Sequence, residues 1–307
     1  MTLFKKNTLI LFSFICLGFI QCQFNESVSV EENDSIMDPI EIHSLMKSDT
    51  SHGITIVSLT ENNPFKVREK ISQYQIPEET FEEKRKKLYD ILNTLEILFT
   101  FSEPNIYSIV DSMNYLAAHY LQDILKDPKS LYSPIRHKML SIIHTPDRNI
   151  RVFSWDENAG MSFKTYINVF QYRTLNGNLN TCLYQNIDSD KDFNFAHAKI
   201  KSFYKLQTTL ENALYLVVFD GFNCKTCLLK GITSLEITND SLNFNYPLIN
   251  DSLSYLIFDY TPEDKLELNY QSRNKILSYK WIQNNENQKD TIHENFEFLN
   301  NYFYKKD

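Results

Sequence analysis

The sequence predicts an α+β protein in which an N-terminal helical layer is followed by an antiparallel β meander. Two observations lead to this prediction. Apolar residues recur at helical spacing from residue 80 to residue 144, whereas from Arg148 onward they alternate with polar residues, as in half-buried strands. The breaks between the alternating runs are short, and short loops join antiparallel neighbours because parallel strands need a longer crossover. Such a meander predicts a sandwich, an open barrel or a propeller-like arrangement.

Three helices are predicted in the N-terminal part of the chain. Thr80 can cap the first helix, and glutamates follow in its first turn, where negative charge suits the helix dipole. The second helix begins at Pro104 and ends near Pro128, because a proline and the residue before it disfavour helix continuation. A shorter third helix is predicted for Ile135–Ile143. Residues 39–145 are therefore predicted to be mainly helical, apart from one short strand at Gly53–Leu59.

Residues 146–307 are predicted to form an antiparallel β domain. Alternating runs that predict its strands are Ile150–Trp155, Phe163–Tyr172, Ile200–Leu206, Ala213–Phe219, Ile232–Thr238, Ser241–Tyr246, Ser254–Tyr260, Leu266–Tyr270, Ile276–Ile282 and Phe296–Phe303. A turn is expected at Asn176–Gly177.

The N-terminus predicts that the chain is exported. A basic start at Lys5 and Lys6 and an apolar run too short to span a bilayer make residues 1–21 a secretory signal peptide. Cys22 resembles the lipidation cysteine of bacterial lipoproteins, which becomes the acylated first residue of the mature protein. Residues 22–38 are polar and acidic, which predicts a flexible tether. Ordinary secretion and an uncleaved N-terminal anchor are the alternatives.

The net charge argues against nucleic-acid binding. The chain of 307 residues carries a formal charge of −8, and removing residues 1–21, which hold Lys5 and Lys6 and no acidic residue, makes it −10. A negative body repels phosphate backbones and anionic lipid surfaces. We therefore expect no nucleic-acid partner.

The most distinctive segment runs from Thr145 to Tyr172. It reads T-P-D-R-N-I-R-V-F-S-W-D, then Gly160, then N-V-F-Q-Y. This segment resembles an uncharacterised family of exported proteins and lipoproteins common in Bacteroidota, whose pattern is D-x-x-x-R-x-[YF]-S-W-D … G … Q-Y. The resemblance implies a helical N-terminal part, a β-rich remainder and a location in the cell envelope, and it implies no mechanism.

Two interpretations of the S-W-D segment remain open. Arg151, Trp155 and Asp156 can form an edge that binds a sugar or a peptide. Alternatively, Trp155 lies in the core while Asp156 accepts hydrogen bonds from turn amides.

A separate acidic run, Asp188-x-Asp190-x-Asp192, can converge on Ca²⁺, but it lacks the glycine and the glutamate of an EF-hand, so a plain acidic loop is favoured. No metal or cofactor is predicted.

Cys224-Lys225-Thr226-Cys227 is the one motif with recognisable chemistry. It follows a predicted strand, as the active-site cysteines of thioredoxin-like proteins do. The residues after it alternate as in a strand, so the sequence favours a small disulfide that closes a hairpin loop, as an oxidising compartment permits. A second cysteine or histidine pair, which structural zinc would need, is missing from the sequence around it.

These observations predict an exported protein of the cell envelope. We expect an outer-membrane lipoprotein, attached to the membrane through Cys22, whose β-rich part is a non-catalytic binding or structural module for a protein or glycan ligand. The alternative is a thiol-disulfide oxidoreductase that uses Cys224 and Cys227.

Overall fold

Two long helices come first in the described part of the chain. The structure, a computed structural model, describes residues 78–100, 104–158, 164–184, 198–222, 224, 226–250, 252–285 and 288–306. The signal peptide, Cys22, the tether, the predicted strand at 53–59 and the acidic run at 188–192 therefore lie outside the described residues. All described residues belong to one compact unit, Ile54–Asp307.

The first two predicted helices are confirmed. Helix α1 is Phe81–Leu98, and Thr80 forms a capping box with Glu83 at its start. Helix α2 is Pro104–Lys126. The two helices pack against each other in antiparallel directions, since Lys84 near the start of α1 contacts Asp123 near the end of α2.

The third predicted helix is wrong. A 3₁₀ turn at Pro128–Leu131 follows α2, and the first strand, β1, is Ser141–His144. A short apolar run suits either a helix or a strand, and here its last residues form a strand because they pair with the next strand. The predicted boundary between residues 145 and 146 therefore lies in the loop between β1 and β2. Strand β1 thus falls in the region that was predicted to be mainly helical.

The strands form three antiparallel sheets in sequence order, which confirms the predicted α+β class and the meander. The first sheet contains β1, β2 (Ile150–Asp156), β3 (Tyr166–Arg173) and β4 (Leu179–Tyr184). The second contains β5 (Ala198–Lys205), β6 (Ala213–Phe222), β7 (Leu228–Ile237), β8 (Leu242–Asn243) and β9 (Tyr255–Tyr260), the last paired with β7. The third contains β10 (Lys265–Gln271), β11 (Ile276–Asn285), β12 (Gln288–Leu299) and β13 (Tyr302–Lys306).

The described strands stack as separate sheets and do not form one barrel. Strand β6 lies between the other two sheets, because its alternate residues belong to two different hydrophobic cores. Tyr215 and Val217 pack with residues of the first sheet, whereas Leu214 and Leu216 pack with residues of the third sheet. Helix α2 contacts β3 and β4, on the first sheet. The order of layers is thus helices, first sheet, second sheet and third sheet, a face-to-face packing that sandwiches and propellers share.

One predicted strand is divided in the structure, and one observed strand has no predicted counterpart. The run Phe296–Phe303 is divided between β12 and β13 by a turn at Asn300 and Asn301, which both have positive φ (50° and 74°), as tight hairpin turns require. Strand β4 was not predicted, because its half-buried residues mix polar and apolar side chains without clear alternation. The turn at Asn176–Gly177 is confirmed, with Gly177 at φ 83°.

Candidate functional site

The loop between β1 and β2 is held from two sides by one carboxylate. Asp147 accepts hydrogen bonds from the hydroxyl of Thr145 (2.8 Å) and the backbone amide of Asn149 (3.2 Å) within the loop. From the second sheet it accepts a bond from the hydroxyl of Tyr215 (2.8 Å) and pairs with Lys205 (2.8 Å). Asp147 therefore joins this loop to the neighbouring sheet.

The electrostatics of Asp147 agree with this structural role. Burial alone would raise the pKa of its carboxyl, but the bonds from Lys205, Thr145, Tyr215 and the Asn149 amide outweigh burial and lower the pKa to about 2. The carboxylate stays charged at any physiological pH, so it is a fixed anchor and not a proton carrier.

A cavity of about 410 Å³ lies beside this loop. Its lining includes the guanidinium-bearing residues Arg148, Arg151 and Arg173 together with His144. Leu131, Pro146 and Leu179 supply apolar parts of the wall. No aspartate or glutamate is among the residues that line it in the described part of the chain, so the cavity is cationic although the whole chain is acidic.

Arg151 is held in place by buried neutral groups. Its Nε donates to Oε1 of Gln171 (2.5 Å), its cross-strand partner in β3, and its Nη2 donates to the backbone oxygen of Ser130 (2.8 Å). Nε2 of Gln171 in turn donates to the backbone oxygen of Leu125 (2.5 Å) and to the Ser130 hydroxyl (2.7 Å). The guanidinium also lies over the ring of Phe153 at 5.4 Å. The end of α2, the 3₁₀ turn and the first sheet together fix this side chain.

The other two arginines are much less restrained. Arg148 has φ 59°, which turns its backbone at the loop, and its side chain makes no hydrogen bond or ion pair with any described residue. Within the part of the chain that the structure describes, Arg173 makes one long side-chain bond, from Nη1 to the Gly177 carbonyl at 3.4 Å. None of the ion pairs among the described residues involves these arginines or Arg151.

His144 lies in the same positively charged surroundings, and they affect its pKa. Burial lowers the pKa of His144, and the charges of Arg151 and Arg148 lower it further. The positive charge around the cavity therefore disfavours protonation of the imidazole. Guanidinium groups that point at one cavity are suited to bind a carboxylate or a phosphate, because the planar fork of donors matches both groups.

The three residues predicted as a binding edge do not share one surface. Trp155 is only 2 % exposed, and its Nε1 donates to Oδ1 of Asn114 in α2 (2.9 Å). Asp156 points to the opposite face of β2, where it accepts from the backbone amide of Asn158 (3.0 Å) and lies 3.5 Å from Lys164. The interpretation of a core tryptophan with an aspartate at the turn fits this geometry, and of the three residues Arg151 alone lines the cavity.

The disulfide prediction is confirmed. Cys224 and Cys227 are bonded, with their Cα atoms 4.8 Å apart, in the loop that joins β6 to β7. Strand β7 begins at Leu228, so the cysteines do not precede a helix, which is the feature that lowers the thiol pKa in thioredoxin-like proteins. The third cysteine of the described part, Cys182, is free, and burial raises the pKa of its thiol. The pair therefore closes a hairpin loop.

We expect the replacement of both Cys224 and Cys227 by serine to lower the free energy of unfolding by about 1–2 kcal/mol, since the bridge closes a very short loop. The fold should be retained, and urea unfolding measures the difference. Thr226→Ser, a change in the same loop that keeps the bridge, is the matched control and should leave the free energy unchanged. Equal stability of the serine variant and the wild type would contradict a structural role.

Comparisons with known protein families, with curated proteins and with solved structures find no match for this chain. Within the described residues, no group of histidine, cysteine, aspartate and glutamate side chains is arranged to hold a metal ion. Among those same residues, no helix combines the length and the apolar character needed to cross a membrane.

Sequence reasoning reached Arg151 but missed its partners in the cavity. Gln171 belongs to the Q-Y part of the distinctive segment, and the structure places it directly opposite Arg151 in the β2–β3 pair. Arg148 lies in the same segment, while Arg173 directly follows it. The sequence signal was the concentration of three arginines around two strands that a short loop predicts to be neighbours, and their common cavity depends on the pairing register.

Proposed function

We propose that this chain is an exported protein of a bacterial cell envelope, anchored in the outer membrane by a lipid on Cys22, whose β-rich part is a non-catalytic binding module. The disulfide between Cys224 and Cys227 is the observation that carries the proposal, because disulfides persist in oxidising compartments and are rare in the cytosol. The predicted signal peptide and the polar tether, read from the sequence, support the same location.

The resemblance to the Bacteroidota family supports this proposal from a second direction. Arg151, Ser154 and Gln171, which belong to that segment, all take part in buried or half-buried hydrogen bonds between β2, β3 and their neighbours. The segment is thus structurally central, as expected if its pattern defines a family. We place the chain in that family as part of the same proposal.

The alternative function, a thiol-disulfide oxidoreductase, has weaker support. A half-buried disulfide in a loop whose Thr226 is exposed is the observation that favours it. Against it, β7 and not a helix follows Cys227. The serine variant of both cysteines separates the two functions, because loss of disulfide-exchange turnover with unchanged stability would favour the enzyme, and loss of stability alone would favour the binding module.

The intact mass of the mature protein, purified from envelopes without reductant, tests the proposal. We expect an acylated chain that starts at Cys22 and is lighter by two hydrogens, the mass change of one disulfide. Cys22→Ser is the matched variant, and it should lose the acyl mass and leave the membrane fraction. An unacylated chain that starts beyond Cys22 would contradict the lipid anchor, and free thiols at Cys224 and Cys227 would contradict the oxidising compartment.

A further inference from the structure

The charge balance of the cavity between β1–β3 and the 3₁₀ turn is the first observation. Three arginines line it and no acidic residue does, within the part of the chain that the structure describes. Like charges gathered around one space repel one another, and a bound anion would convert this repulsion into attraction. The net charge of the chain is −8, so this local positive charge is opposite in sign to the charge of the whole chain.

The second observation is that Arg151 is fixed in position and still has N–H donors free for a ligand. Its Nε and Nη2 are used by Gln171 and Ser130, and its Nη1 has no partner among the described residues. Nη1 is not buried, so it is accessible to solvent. Because Ser130 and Gln171 are 0 % and 1 % exposed, the guanidinium is held rigidly while two of its donors stay open.

The size and the wall of the cavity are the third observation. About 410 Å³ falls in the range of small-molecule sites and far exceeds the volume of a bare inorganic ion. Leu131, Pro146 and Leu179 offer apolar contacts, while Asn149 offers a polar one. A ligand with an anionic group and an organic body about the size of one sugar ring matches this combination.

We infer that this cavity binds a sugar-sized organic oxyanion, whose carboxylate or phosphate group is held by Arg148, Arg151 and Arg173. Arg151 supplies the rigid donors, while Arg148 in the β1–β2 loop and Arg173 at the end of β3 supply further donors at the border of the cavity. The inference rests on the proposed function only in treating the β-rich part as a binding module, and it does not depend on the lipid anchor.

Isothermal titration of the purified mature protein at low salt tests the inference with four probes: glucose 6-phosphate, glucuronate, inorganic phosphate and glucose. We expect saturable binding, at one site per chain, of at least one of the two charged sugars, and none of glucose. Arg148→Gln and Arg173→Gln should each weaken binding about tenfold, as the loss of a charge-assisted hydrogen bond does. Arg273→Gln, an equal change of charge at the exposed β10–β11 turn, should not weaken it.

The choice of probes separates the outcomes. Binding of glucose 6-phosphate alone or of glucuronate alone identifies the anionic group and supports the inference. Binding of inorganic phosphate with neither sugar, binding of glucose as tight as that of the charged sugars, or no binding at all would overturn it. A loss of affinity in Arg273→Gln equal to that in Arg148→Gln would also overturn it, because a general effect of charge would then explain the binding.

A spectroscopic readout places the site without any variant. Ring signals of His144, which lines the cavity, should shift on titration with the bound sugar, whereas those of His293 on β12 of the third sheet should not. Shifts at His293 alone would overturn the inference. The mass of the mature protein tests the anchor separately, so failure of one proposal is distinguishable from failure of the other.

Discussion

Gly231→Ala is expected to lower the free energy of unfolding by about 2–4 kcal/mol, because a side chain at this position has no space. Gly231 lies in the middle of β7, between β6 and β9. A Cβ atom there would come within 2.5 Å of the backbone oxygen of Leu256 and within 2.5 Å of the ring carbon Cζ of Phe219. Since a backbone atom cannot rotate away as a flexible side chain can, β9 would have to move. Urea unfolding of the variant and the wild type measures the effect.

Gly177→Asn is the matched control for this prediction. Gly177 has φ 83° and open space around the position of a Cβ, so its requirement is conformational, and asparagine tolerates this region better than most residues. We expect a loss of less than about 1 kcal/mol. If the two variants lost equal stability, the effect at Gly231 would come from backbone freedom and not from the crowded contact.

Asn114→Leu is the second substitution for which a large effect is expected, about 2–4 kcal/mol of unfolding free energy. Asn114 is fully buried on α2, where its Oδ1 accepts from Trp155 Nε1 (2.9 Å) and its Nδ2 donates to the Glu157 carbonyl (2.6 Å). Leucine has a similar size but leaves the buried Trp155 Nε1 and the half-buried Glu157 carbonyl without this partner. The melting temperature and urea midpoint should both fall.

Asn93→Leu provides the control on the neighbouring helix. Asn93 is exposed on α1, and its one side-chain bond to a described residue is with His137 (3.0 Å). Loss of an exposed bond that water replaces should change stability by less than about 0.5 kcal/mol. If Asn114→Leu were no more harmful than Asn93→Leu, the contact between Asn114 and Trp155 would not contribute to the attachment of α2 to the first sheet.

Local patterns predicted most of the secondary structure because they are set by neighbouring residues. The 3.6-residue spacing and the capping residues identified α1 and α2, and the two-residue alternation located most strands. Ile135–Ile143 failed for the same reason, since a short apolar run carries both periods. Its C-terminal residues became β1 because β2 offered them a partner. The disulfide could also be predicted from the sequence, because its cysteines are only three positions apart.

The cavity could not be predicted from the sequence, because its residues come together only through the pairing of strands. Arg151 and Gln171 are 20 residues apart and become neighbours through the register of β2 and β3. A slip of one residue would turn Arg151 to the opposite face. Ser130 reaches them because α2 packs on this sheet, a contact that no local pattern encodes.

The sequence by itself thus determined the helical layer, the antiparallel meander and the cysteine bridge, which all depend on residues close together along the chain. Tertiary structure alone decided that Trp155 is a core residue bonded to Asn114, 41 positions away, and that Arg148, Arg151 and Arg173 share one cavity. The physical reason is that side-chain periodicity is local, whereas the choice of partners among strands and helices depends on which faces can be buried together.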